Sequence, residues 1–347
     1  MRFYEEHHQY CCGVDLHARS MYLCIQDDRG TILMHKNLPT SPSSFEAAVA
    51  AYREDLVVAV ECVFCWYWIA DLCERLGIAF VLGHALYRKA IHGAKTKNDK
   101  VDCKKIASLL RAKMLPMAYV YPKEKRATRD LLRRRMHFVH KQAELLAHIQ
   151  NTNTQYNLPP FDGRISRKVH RKDLGEHFPD PMVRASIEAD AELLDVYHDL
   201  IVRLEAEILK QAKHADPVAL TLLQSIPGFG KILSLVIIYE VDDINRFPAV
   251  GNFVSYCRLV KPAHESAGKK QGSKHSKIGN VHLKWAFSEV ACLFLKGNER
   301  AQKYHEKLVS KYGKPKALTI LAQKLGRTVY TMLKRRQPFD PEKFFGS

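Results

Sequence analysis

Four acids in the first third of the chain have residue types and positions suited to hard-cation chemistry: Asp15, Glu61, Asp99 and Asp102. Asp15 closes the apolar run YCCGVDLHA, and Glu61 stands near the end of the β-branched run DLVVAVECV. Both runs read as strands, and strand ends are where an open α/β sheet builds its ligand sites. Asp99 and Asp102 lie three apart in KTKNDKVDCKK, so at a helix start they share one face of the first turn. Mg²⁺ prefers oxygen ligands, commonly one or two carboxylates plus phosphate. Two such ions about 3.5–4 Å apart can clamp the attacking and leaving oxygens of a phosphodiester.

Each acid taken singly has a plainer role. Asp15 and Glu61 can be ordinary strand-end acids, Asp99 a helix N-cap, and Asp102 a complement to the helix dipole. The surrounding charge favours the collective reading. The 347 residues carry 54 Lys+Arg against 37 Asp+Glu, a formal net charge of +17, which points to a polyanion such as nucleic acid. Lys95, Lys97, Lys100, Lys104 and Lys105 crowd the same stretch as Asp99 and Asp102. Lysines beside a carboxylate metal site suit a phosphate substrate; the competing expectation is a salt-bridged surface helix.

The elements that must position these acids follow from pattern. Strand signals at YCCGVDLHA, SMYLCIQDD, RGTILMHKNL, DLVVAVECV and IAFVLGH alternate with helix-like SPSSFEAAVAAYRE and FCWYWIADLCERLG, an α/β layer. Composition shifts near Pro116. Two long helix-prone segments, 126–155 and 185–213, flank the irregular NLPPFDGRISRKVHRKDLGEHFPDP and suggest a helical hairpin or coiled-coil arm. In the second, Leu193, Leu194, Tyr197, Leu200, Ile201, Leu204 and Ile208 approach a three/four stripe, expected to pack. A mostly helical region follows from about Asp216. The domains expected are thus 1–115, 116–215 and 216–347.

That last region carries two anion-binding signals. IPGFGK (226–231) has the helix-hairpin-helix pattern, in which amides near Gly228, Gly230 and Lys231 can hold a DNA phosphate; a ligand-free helical corner fits equally well. The loop KPAHESAGKKQGSKHSKIGN (261–280) offers Lys269, Lys270, Lys274 and Lys277 among glycines and serines, with His264 and His275 nearby. No serine–histidine–acid triad can be inferred in it.

No stretch has the ~18 uncharged apolar residues of a membrane span, and the N-terminus lacks a signal-peptide apolar region. A cytoplasmic protein without membrane partners is expected. The nine cysteines, odd in number, read as reduced, mostly buried thiols, Cys62 and Cys65 included.

In this order, GVDLHARSMYLCIQDDRG, VAVECVFCWYWIADLC, KTKNDKVDCKKIASLLRA and SIPGFGK…FVSYCRLVKPAHESAGKKQGSKHSKIGNVHLKWAF resemble the DEDD transposases of bacterial insertion sequences, the Piv-type invertases and IS110-class recombinases. The resemblance implies a RuvC-like (RNase H-type) N-terminal domain in which Asp15, Glu61, Asp99 and Asp102 hold Mg²⁺. It implies a coiled-coil linker and a mostly α-helical C-terminal domain with a nucleophilic serine. On the motif H-E-S-A-G that serine is Ser266; Ala267 stands where a glycine is common, and Ser273 and Ser276 lie in the same loop. Further implications are a phosphoserine intermediate with donor and target DNA, and a structured guide (bridge) RNA. Homodimers and homotetramers are also implied, in which one subunit's serine meets another's carboxylates. Two other functions compete on the residues alone: a RuvC-like metal-dependent nuclease or junction resolvase, and a non-catalytic nucleic-acid-binding protein.

Overall fold

The computed structural model describes residues 2–84, 98–212, 216–261, 264–266, 269–271 and 278–346. The chain divides into two compact units, Met1–Glu124 and Lys125–Ser347.

The first unit is built on a five-stranded mixed sheet of order β3-β2-β1-β4-β5. Its strands are β1 (Tyr10–Leu16), β2 (Ser20–Asp27), β3 (Ile32–Pro39), β4 (Leu56–Glu61) and β5 (Ala79–Gly83). β1 pairs antiparallel with β2 and parallel with β4, so it is central and buried on both faces. β3 is the exposed edge. The turn after β2 is made by Gly30 at φ +89°, and the Gly30 amide donates to the Asp27 carbonyl.

Strand alternation divides the apolar side chains between two layers. Cys12, Val14, Val58 and Val60 face α1 (Pro42–Val49) and α2 (Tyr67–Leu76), packing with Phe45, Val49, Trp66 and Ile69. Cys11, Val57, Ala59 and Val81 face α3 (Asp99–Arg111), packing with Ile106, Leu109 and Leu110. Each buried Val, Ile or Leu among these contributes roughly 1.5–3 kcal/mol of transfer free energy. One helix was expected across SPSSFEAAVAAYRE; instead α1 ends at Val49 and a 3₁₀ turn, Ala50–Asp55, leads into β4.

Gly13 lies between Cys11 and Asp15 on the α3 face of β1. A Cβ built there would stand 2.2 Å from the Cys103 carbonyl oxygen and 2.4 Å from the Ala107 nitrogen. The glycine therefore lets the α3 backbone rest directly on the strand.

The second unit contains two long helices, α4 (Lys123–Gln155) and α5 (Pro181–Gln211). α5 begins four residues before the expected start at 185, because Asp180 caps it through the amides of Met182 and Val183 and Pro181 occupies the first turn. Its buried residues, Ile187, Leu194, Ile201 and Ile208, recur every seven residues. Leu193, expected in the packed stripe, is 47% exposed: adjacent to Leu194, it lies about 100° around the helix from the buried seam.

The remaining helices of this unit are α6 (Pro217–Gln224), α7 (Lys231–Val241), α8 (Val250–Tyr256), α9 (Val281–Leu295), α10 (Glu299–Tyr312), α11 (Lys314–Arg335) and α12 (Pro341–Phe345). They share one large core in which Leu223, Val236, Phe253, Phe287, Phe294, Leu321 and Val329 are buried. Among the described residues, no helix is long and apolar enough to cross a membrane.

Candidate active site

Strand alternation places Asp15 and Glu61 on the face of the sheet covered by α3. Asp15 follows Cys11 and Gly13 along β1, and Glu61 follows Val57 and Ala59 along β4. The parallel register pairs Val14 with Val60, so the two acids come one residue later on neighbouring strands, at the carboxyl end of the sheet. Asp99 and Asp102 are supplied from above by the first turn of α3.

The cap of that helix is Asn98, whose side chain accepts the Lys100 amide at 3.0 Å. This overturns the expectation of Asp99 as N-cap and leaves its carboxylate to other contacts. The first turn is fastened to the sheet edge by His35 of β3. Its Nε2 lies 2.8 Å from the Lys100 carbonyl oxygen and 3.4 Å from Cys103 Sγ.

Asp15, His17 and Asp99 form a cluster whose ligand atoms all lie within 4.8 Å of one another. His17 Nε2 stands 3.7 Å from Asp15 Oδ1 and 3.5 Å from Asp99 Oδ2. Ligands held about 2.0–2.6 Å from a hard cation stand at most about 4–5 Å apart, so the spacing fits one ion. Asp15 is 9% exposed. Burial pushes its carboxyl above the usual aspartate range; nearby His17 pulls it back, and the charges of Asp99, Asp102 and Glu61 push it up again. Asp15 thus sits in the field of the other three acids, and a cation beside it would relieve that repulsion.

His17 did not stand out in the sequence. Its signal was its spacing: a histidine two residues after a strand-end acid falls on the same side of an extended chain. Among the lysines, Lys100 and Lys104 are exposed, while Lys105 Nζ lies 3.8 Å from Asp102 Oδ1. Lys105 is thus a carboxylate partner, a correction to its reading as a phosphate-side lysine. Lys95 and Lys97 lie outside the described residues.

In the second unit, IPGFGK forms the turn from α6 to α7. Gly228 has φ +85°, and a Cβ there would meet the backbone of Leu293 and Phe294 at 2.7 Å. Gly230 opens α7 with open space around its Cα, and Lys231 is exposed.

The serine loop contains a short hairpin that the sequence did not suggest, β6 (His264–Ser266) against β7 (Lys269–Gln271), with Ser266 opposite Lys269. The side chains of Ser266, Lys269 and Lys270 are outside the description, as are Ser273, Lys274, Ser276 and Lys277 entirely. Hydrogen bonds close the neck of the loop. The Asn280 amide donates to the Tyr256 carbonyl, and Arg258 Nε donates to the Ile278 carbonyl at 3.1 Å.

Beneath this neck lies a buried polar group. Glu240 is 1% exposed and accepts Nε and Nη2 of Arg133 at 2.6 and 2.8 Å, and Nδ2 of Asn280 at 2.7 Å. The Asn280 side-chain Oδ1 accepts the amides of His282 and Leu283, capping α9. Burial works to raise the Glu240 carboxyl, but the Arg133 hydrogen bonds and charge, with Asn280, hold it below the usual glutamate range.

All nine cysteines are free thiols. Cys62 is exposed and Cys65 half-buried, contrary to the buried packing expected, because they follow β4 in the loop over the sheet end.

A mixed sheet with this strand order, flanking helices and acids at its carboxyl end fits a RuvC-like DEDD domain. Residues 12–158 match the DEDD transposase model named for IS110, and residues 220–306 match the model described as Transposase IS116/IS110/IS902 family. Over 338 residues the chain is 24% identical to the transposase for insertion sequence element IS1111A of Coxiella burnetii, covering 94% of this chain and 90% of that one. The chain belongs to the IS110-type transposases, and it is a DNA transposase of an insertion sequence. Its DEDD domain implies use of a divalent metal.

Proposed function

We propose that the chain is an RNA-guided transposase in which Asp15, Glu61, Asp99 and Asp102 hold Mg²⁺ and Ser266 is the nucleophile. The observation that supports this most is the convergence of Asp15, His17 and Asp99 at the carboxyl end of the sheet, within the field of Glu61 and Asp102. The metal would supply charge neutralisation at the bridging phosphate. The carboxylates fix its place, and His17 beside Asp15 and Asp99 restrains the two side chains.

In the reaction, the Ser266 Oγ–phosphorus bond forms as the bond from phosphorus to the DNA 3′ oxygen breaks. The serine proton is given up and the departing 3′ oxygen takes one, so a phosphoserine and a free 3′-hydroxyl result. A second 3′-hydroxyl attacking the phosphoserine reverses the step with a new partner strand. Ester energy is conserved throughout, as hydrolysis would not allow.

Lys97, Lys100, Lys104, Lys269, Lys270, Lys274 and Lys277 are assigned to phosphate contacts. The α6–α7 turn with Gly228, Gly230 and Lys231 is assigned the helix-hairpin-helix role. Pairing specificity for donor and target DNA would reside in a structured guide RNA. Segments 1–115, 116–215 and 216–347 serve as catalytic domain, coiled-coil arm and serine domain; the seven-residue seam of α5 supports the arm's reading. The arm joins subunits into dimers or tetramers that bring one subunit's Ser266 to another's carboxylates, in the bacterial cytoplasm.

Covalent capture tests this reading. Purified protein with Mg²⁺ and DNA spanning an element junction should yield a protein–DNA adduct at Ser266. Ser266→Ala should lose both adduct and strand cleavage. Cleavage that persists in Ser266→Ala would instead identify a metal-dependent nuclease.

A further inference from the structure

Phe64 is 87% exposed, more than any other large hydrophobic residue among those described. It stands three residues after Glu61, in a loop that is otherwise tied down. The Val63 amide donates to the Glu61 carbonyl at 2.8 Å, making a tight turn directly after the acid. The Cys62 amide donates to the carbonyl of Gly83, the β5 residue paired with Glu61, at 2.9 Å. Cys65 Sγ lies 3.8 Å from the carbonyl of Leu16, the residue after Asp15. Trp66, 5% exposed, anchors the far end, stacked on Phe80 at 6.4 Å and edge-on to Tyr67 at 4.7 Å. The loop therefore runs across the carboxyl ends of β1, β4 and β5, where the acids lie, and presents one bare ring from a rigid base.

We propose that Phe64 is a stacking platform for an unpaired DNA base beside the phosphate held at the carboxylates. The inference rests on the reading of Asp15 and Glu61 as the phosphodiester site. A rigid aromatic whose face is open to solvent is the element that single-strand-binding proteins use to seat bases, and stacking tolerates any sequence because every base has a π face. Its place next to acidic side chains suits a base, which is uncharged, while the exposed Lys100 and Lys104 suit the backbone. Phe64 seats the nucleotide flanking the reacting phosphate and holds it out of the duplex.

The test uses the full-length protein and two probes, a short single strand carrying 2-aminopurine and the same strand in a duplex. Wild type should quench the single-strand probe. Phe64→Ala should lose the quenching and bind the single strand about tenfold more weakly, the scale of one lost stack, with duplex binding unchanged. Phe64→Trp should restore both. Photocrosslinking of a 5-iododeoxyuridine strand to the wild-type protein should place an adduct on the peptide containing Phe64, independent of how the variants fold. Unchanged quenching and affinity in Phe64→Ala, equal losses for strand and duplex, crosslinks only elsewhere, or displacement by unpaired RNA in preference to DNA would each overturn the proposal. The underlying site is read separately: strand cleavage retained by Asp15→Ala would refute the carboxylate assignment whatever Phe64 does.

Discussion

Gly13 of β1 and Cys103 of α3 meet backbone to backbone: a Cβ on the glycine would lie 2.2 Å from the Cys103 carbonyl oxygen. This contact sets the height of the helix whose first turn holds Asp99 and Asp102 over the strand that holds Asp15. Gly13→Ala should force α3 away from the sheet. Overpacking of this kind costs about 1–3 kcal/mol, read as a lower urea midpoint. Divalent-metal affinity, measured by calorimetry, should fall as well. A variant with wild-type metal affinity would show that the helix height does not matter to the site.

Asp15→Asn should separate stability from activity. Burial and its acidic neighbours disfavour the ionised Asp15, so neutralising it removes a repulsion from the metal-free fold. The variant should melt higher than wild type in chelator, and lose strand cleavage when metal is restored. A lower melting temperature in chelator would contradict the repulsion described.

Two groups in the second unit give its stability a pH dependence of one sign. The Glu240 carboxyl is held below its ordinary 4.5, so its stabilising effect is present above that value and lost as pH falls through the depressed folded value. His282 is held below 6.5, chiefly by burial; the unfolded chain protonates first as pH drops below 6.5, and folding loses stability there. Urea midpoints across pH should show the wild-type advantage over Glu240→Gln shrinking below about pH 4.5. The His282→Gln variant should flatten the slope that begins near pH 6.5. An advantage of Glu240 that grew in acid would reverse the sign argued.

Gly228→Ala should destabilise the α6–α7 turn. The position has φ +85° and its Cβ would press on the backbone of Leu293 and Phe294 at 2.7 Å, where nothing flexible can yield. A non-glycine residue in that conformation costs about 1–3 kcal/mol before the clash is counted. Gly230→Ala, with open space around it, should cost far less. Melting temperatures of the pair check the contrast.

Much of the first unit was legible because its signals are local. YCCGVDL and LVVAVE are short apolar runs with an acid at or next to the last position, and strand alternation carries those acids to one face. Gly13 was visible as a letter but not as a contact, since its partners Cys103 and Ala107 are ninety residues on. Glu240 was hidden differently. It ends the apolar run of α7, and its partners Arg133 and Asn280 stand 107 and 40 residues away, distances at which spacing carries no information. The α5 seam was half read: the apolar residues were found, but the seven-residue subset that is buried depends on what packs against it.

The clasp at the serine loop separates the closing of the loop from what the loop contains. Tyr256 and Arg258 on one side bind Asn280 and Ile278 on the other, while Glu240 and Arg133 secure Asn280 from below. Closing a loop costs only logarithmically more as it lengthens, so a closed neck tolerates insertions and deletions beyond it. The segment between residues 258 and 278 can in this sense lengthen by a few residues at little cost to the fold that presents it.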